Sequence, residues 1–124
     1  MALNTSQQVS LHDLVVEASA LAYELQGYEV LRRHQPHPRR FGREPFDLLV
    51  PAIPRVEEVE TAATLAAVDR RRLARCREAG LQVRLLVPLR EIAAAHSLVR
   101  GCADHLVPFW LTEDAVRFGP PRLP

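Results

Sequence analysis

Lysine is absent from this chain: all 16 of its Lys-plus-Arg residues are arginine. That excludes Schiff-base chemistry and any mechanism in which a lysine positions a catalytic water. Charge of one sign is lacking as well. The formal net charge is +1 with 25% charged residues, so a nucleic-acid role must come from local patches rather than a global excess. Cysteine is scarce: Cys76 and Cys102 lie in or beside segments that read as helical, with no CxxC spacing, which points to buried free thiols of an intracellular protein. No apolar run reaches the roughly 18 residues of a membrane span, and the opening MALNTSQQ is polar. Neither a span nor a secretory signal is expected, and the cytoplasm is the expected location. A Gly-rich phosphate loop, a GxSxG elbow, an HExxH pair and internal repeats are also missing.

What is present suits one globular α/β domain. With 124 residues and 48% hydrophobic content, the chain can bury about two-thirds of its unfolded surface in a single core. The domain is expected to run over 11–118, with 1–10 a flexible N-terminus and 119–124 a tail. Ser10 and Asp13 resemble a capping box, and Leu11, Leu14, Val15, Ala18, Leu21, Ala22 and Leu25 recur at helical spacing, which predicts a helix over 11–26 closed by Gly27. YEVLRR over 28–33 alternates as a strand. Two further short strands are predicted around FDLLV and VEEVE, separated by a Pro-bounded break. Thr61–Ala79 reads as one long helix ended by Gly80, LQVRLLV over 81–87 as a buried central strand, and 89–100 as a second crossover helix. A strand over 105–111 and a short one over 115–118 close the domain. A strand, helix and strand in that order imply a right-handed crossover and a parallel pair.

Acids stand where a sheet interior is expected. Alternation puts Val56, Glu58 and Glu60 on one side of the third strand and Arg55, Glu57 and Val59 on the other, while Asp47 in the second strand is placed to face Glu58 and Glu60. Two carboxylates about 4 Å apart repel by roughly 4 kcal/mol at an effective dielectric near 20. A cation, a proton or an arginine must balance them. Oxygen-only ligands favour a hard ion, Mg²⁺ or Mn²⁺, and Arg32, Arg55 or Arg71 is the alternative, as part of a structural ion-pair network.

Basic residues cluster in two places. Arg39, Arg40 and Arg43 lie in the Pro-rich loop 34–45, and Arg71 and Arg75 stand one turn apart on the predicted long helix; each set reads either as phosphate contacts or as a solvated face. His34, His37, Cys102 and His105 make a weaker zinc candidate without usual spacing. His12 reads as a surface residue. His96 and Trp110 read as core.

The order of these segments resembles the restriction-endonuclease-like PD-(D/E)XK nuclease superfamily: a helix bearing Glu17, GYEVLRR, FDLLV, a break, and VEEVET before a helix, over about 11–87. The resemblance implies a helix, three strands, a helix and a further strand, with a Mg²⁺- or Mn²⁺-dependent nuclease acting on DNA. It assigns Asp47 and Glu58 as metal ligands and Glu17 as the helical acid of the site. Glu60 occupies the position of the motif lysine, and Pro45-Phe46 separates the proline from Asp47. These departures leave two expectations, a nuclease with a substituted helper cation or an inactive nuclease-fold module serving nucleic-acid or protein interaction. A homodimer is plausible for either.

Overall fold

A computed structural model describes residues 5–34, 41–42 and 44–124, with side chains from Ser10 onward. The chain forms a single α/β domain around a six-stranded mixed sheet whose spatial order equals its chain order. The helix α1 (Thr5–Leu25) leads into β1 (Leu31–His34), β2 (Phe46–Val50) and β3 (Arg55–Val59), an antiparallel meander. A 3₁₀ turn (Leu65–Ala67) and helix α2 (Arg70–Glu78) cross over to β4 (Gln82–Pro88), parallel to β3. A second 3₁₀ turn (Leu89–Glu91) and α3 (Ile92–Val99) cross to β5 (His105–Leu111), also parallel, and β6 (Val116–Phe118) returns antiparallel.

The sheet has a core on each face. Leu49, Val56, Val83, Leu85, Val87 and Leu106 pack with Leu73 and Cys76 of α2 and with Ala95 and Val99 of α3. Leu48, Val50, Val59, Leu86, Val107 and Phe109 pack with Val15, Val16, Ala20 and Tyr23 of α1. Central β4 feeds both layers, Val83, Leu85 and Val87 to the first and Leu86 to the second. Cys76 and Cys102 are buried and free. Among the described residues no helix is long and apolar enough to cross a membrane.

Several local expectations are corrected. The helix expected over 61–79 is broken. Thr64 Oγ1 accepts from Thr61 N at 2.9 Å, a local turn that competes with helical bonding, and extended Asp69 caps α2 by accepting from Arg72 N at 3.1 Å. Gly80, at φ 90°, lets the Leu81 amide return to the Cys76 carbonyl at 3.0 Å and close that helix. Ser10 lies inside α1 rather than at its cap, so the helix enters the stretch expected to be flexible. The segment after Phe118 is not a loose tail, because Leu106 and Arg122 exchange backbone hydrogen bonds at 2.7–2.8 Å. Trp110 is 39% exposed, since the β4 ladder ends at Phe109 and leaves Trp110 and Leu111 overhanging. His96 is exposed on α3.

The rotation of α1 is the largest correction. Leu14, Leu21 and Leu25 face solvent, while Val15, Val16, Ser19, Ala20 and Tyr23 are buried. Glu57 decides this. Its carboxylate is 1% exposed on the α1 side of β3, where Ser19 Oγ donates to it at 2.6 Å and the Tyr23 hydroxyl also donates. An unpaired buried carboxylate costs several kcal/mol, more than the roughly 1.5–3 kcal/mol gained by burying one leucine, so the Ser19–Tyr23 stripe turns inward.

Candidate functional site

Antiparallel pairing matches Leu48 with Glu57 and Leu49 with Val56, and continuing that register sets Asp47 opposite Glu58. There the ladder gives way. The Val59 amide donates not to a backbone carbonyl of β2 but to Asp47 Oδ2 at 2.8 Å, while β3 stays paired to β4 and Glu60 N donates to the Leu86 carbonyl at 2.9 Å. The Asp47 carboxylate therefore sits where β2 and β3 part, on the same cavity wall as the Glu58 carboxyl.

Two cations, neither of them expected from the sequence, close on this pair. His12 of α1 donates from Nε2 to Asp47 Oδ1 at 3.0 Å and faces Asp13 Oδ1 from Nδ1 at 3.1 Å. Both ring nitrogens meet carboxylate oxygens, so both carry protons. The hydrogen bond to Asp47, above all, pushes the His12 pKa up to about 9. From α2, Arg72 Nη1 donates to Glu58 Oε1 at 3.3 Å and Nε to the Phe41 carbonyl at 2.9 Å; Nη2 donates to the Glu44 carbonyl, and the guanidinium lies 4.0 Å over the Phe46 ring centre. Every edge of that fork is held.

The carboxyls respond differently. Burial pushes Glu58 well above the usual carboxylate range, reinforced by the Asp47 charge and their shared hydrogen bond, with Arg72 opposing. Burial also acts to raise Asp47, but the hydrogen bonds from His12, Val59 and Glu58 outweigh it and hold Asp47 low. The environment thus favours the neutral form of Glu58 and the ionised form of Asp47. Glu60 is raised by burial and by Asp47, against a hydrogen bond with Thr64. His12, Asp47, Glu58, Glu60, Thr64 and Arg72 line one cavity of ≈300 Å³.

The structure therefore gathers Asp47, Glu58 and Glu60 as the sequence places them. Glu17 does not join them. It is 62% exposed and paired with Arg32 at 2.9 Å, which also holds Glu24 at 2.7 Å. Arg55 serves Gln82 and the Tyr23 hydroxyl, and Arg71 and Arg75 are exposed, so none of the arginines proposed as partners reaches the acids. Arg71 instead lines a groove of ≈540 Å³ with Arg70 and Arg100, which abuts the acidic cavity through their common wall residues Val68 and Asp69. Arg39, Arg40, Arg43 and His37 lie outside the described residues. Cys102 Sγ donates to the Val99 carbonyl, away from any zinc arrangement. No signal in the sequence separated His12 from other helical histidines or Arg72 from its arginine neighbours.

Among the described residues, no group of three or more His, Cys, Asp or Glu is placed to hold a metal ion. Two carboxylates are nonetheless a fitting donor set for Mg²⁺, which keeps several waters and takes one or two protein carboxylates together with substrate phosphate. The placing of Asp47 opposite Glu58 on one cavity wall marks where positive charge is required. Compared with known proteins, the chain matches no family model, no curated protein and no solved structure.

Proposed function

We propose that the cavity around Asp47 and Glu58 is the site of a divergent PD-(D/E)XK-like nuclease that acts on DNA phosphodiesters with Mg²⁺ or Mn²⁺. One observation carries the reading: Asp47 ends its ladder opposite Glu58, and both carboxyls line one ≈300 Å³ cavity. The element order, α1, three antiparallel strands, α2 and parallel β4, supports the same resemblance.

Asp47 and Glu58 would hold the ion, with Glu60 beside them; when bound, it would supply a lowered pKa for water and charge for a phosphoryl oxygen. The residues of the chain do the rest. With a cation bound, Glu58 would serve as an ionised ligand, its proton passing to solvent. His12, cationic at neutral pH, donates rather than accepts a proton and, with Arg72, stands for the positive charge that Glu60 cannot provide. Arg70, Arg71 and Arg100 line the adjoining groove, where they can track a phosphate backbone. A cytoplasmic homodimer completes the reading, supported by exposed Leu14, Leu21 and Leu25 on one side of α1.

A second reading has its own observation. His12 on Asp47 and Arg72 on Glu58 already balance the acids, as an inactive nuclease-fold module would require. Calorimetric titration with Mn²⁺, beside cleavage of single-stranded, duplex and branched DNA, separates the two. The nuclease reading expects binding and cleavage that both vanish in Asp47→Asn, Glu58→Gln. Absence of binding heat above that double variant removes the metal site. Binding without cleavage of any substrate leaves the module reading.

A further inference from the structure

We propose that a second cavity, between α1, the sheet and the C-terminal segment, is a binding site for a small monocarboxylate with an apolar body. It has a volume of ≈170 Å³ and shares no wall residue with the acidic cavity. Glu57 and Glu58 are consecutive, so alternation sends their side chains to opposite faces of β3, and the two cavities follow.

The polar end is built around a partly buried arginine. Both Glu57 oxygens are occupied by the hydroxyls of Ser19 and Tyr23, and Arg55 Nη1 donates to the Tyr23 hydroxyl at 2.8 Å. Arg84, on the cavity wall, stands farther off, with Nη1 3.9 Å from Glu57 Oε2. Its Nε is buried and has no hydrogen-bond partner among the described residues. A charged donor without an acceptor is unfavourable in a protein interior, and a carboxylate is the acceptor that matches the guanidinium fork. Arg84 and Arg55 both stand near Glu57, whose two oxygens are already satisfied by hydroxyls. His105, paired with Arg84 across the β4–β5 ladder, is held below its ordinary value by burial first, then by Arg84 and Arg55, with Asp104 opposing.

The remaining walls set the rest of the ligand. Ala22, Leu86, Val107, Phe118 and Pro121 are apolar. Inorganic phosphate, polar on every side, would leave these walls and its own oxygens unmatched. A nucleotide is too large, since drug-sized ligands occupy about 300–1,000 Å³. A space near 150 Å³ takes a benzene ring. A compact acid such as benzoate or isobutyrate therefore fits both the charge and the volume.

The test uses the full chain, with benzoate and isobutyrate as probes and benzamide and inorganic phosphate as controls, read by calorimetry and ligand-observed NMR. Benzoate should saturate and bind roughly tenfold or more tightly than benzamide, the preference that one charged hydrogen bond gives. Arg84→Gln should erase that preference. Ala22 lines the cavity and is itself solvent-exposed, so Ala22→Leu adds bulk there while leaving Arg84 and Glu57 in place, and it should abolish binding in a folded protein. The proposal is overturned by no saturable binding of either acid to the wild type, by benzamide or phosphate binding as well as benzoate, or by unchanged binding in Ala22→Leu.

Discussion

Replacing Glu58 by glutamine asks directly what neutralises the acid pair. At about 4 Å and an effective dielectric near 20, repulsion between Asp47 and an ionised Glu58 is roughly 4 kcal/mol, and the attraction of Arg72 is of the same order. These nearly cancel. Burial then decides, and it places a proton on Glu58. The unfolded chain binds that proton only below about pH 4.5, the ordinary value for glutamate, whereas the fold keeps it to higher pH. The folded state binds more protons in this window, so wild-type stability falls as pH rises, by about 1.4 kcal/mol per pH unit. Glu58→Gln is neutral throughout and escapes the loss. Urea melts in EDTA at pH 5.0, 5.5, 6.0 and 6.5 should therefore show the variant gaining on the wild type, by about 1.4 kcal/mol for each pH unit over which Glu58 keeps its proton. Mn²⁺ at 100 times its dissociation constant should return about 2.7 kcal/mol to the wild type and nothing to the variant. If the two proteins run parallel over this range, Glu58 is ionised and held by Arg72, and its neutral form is refuted.

Three further outcomes follow from the same geometry. His12→Gln removes an imidazolium whose stabilisation is fully present below about pH 6.5 and is lost as pH rises through about 9. The full displacement would be worth about 3 kcal/mol, reduced to about 1–2 kcal/mol by the solvent that reaches His12, so melts from pH 6 to pH 9.5 should show the gap to wild type closing. Arg72→Met strips the carbonyls of Phe41 and Glu44 of a donor and removes the stack on Phe46, and should cost about 2–4 kcal/mol by urea denaturation; a loss under 0.5 kcal/mol would show that Arg72 is not a fixed part of the site. Arg71→Ala and Arg100→Ala should each reduce the slope of log binding constant against log salt on duplex DNA by about 0.9, and an unchanged slope would move the nucleic-acid contact elsewhere.

The sequence by itself determined the strands, the alternation of Glu57 and Glu58 to opposite faces, and the meeting of Asp47 with Glu58, because a two-residue period and a short antiparallel register fix those relations locally. It also determined the central place of β4, whose Val83, Leu85, Leu86 and Val87 are all buried despite Gln82 before and Arg84 between them. Helix rotation was beyond it. Apolar residues surround α1, so periodicity alone favours the Leu14–Leu21–Leu25 side as readily as the side that Glu57 draws inward through Ser19 and Tyr23. His12 and Glu17 are five residues apart, about 140° around the helix, so turning His12 towards Asp47 sends Glu17 out to Arg32. The choice of Arg72 among its neighbours likewise depended on how α2 restarts after Asp69 and where Phe46 and the carbonyls of Phe41 and Glu44 lie. Local periodicity placed the acids, but their balancing cations come from two helices on opposite sides of the sheet, and only packing brings those to one point.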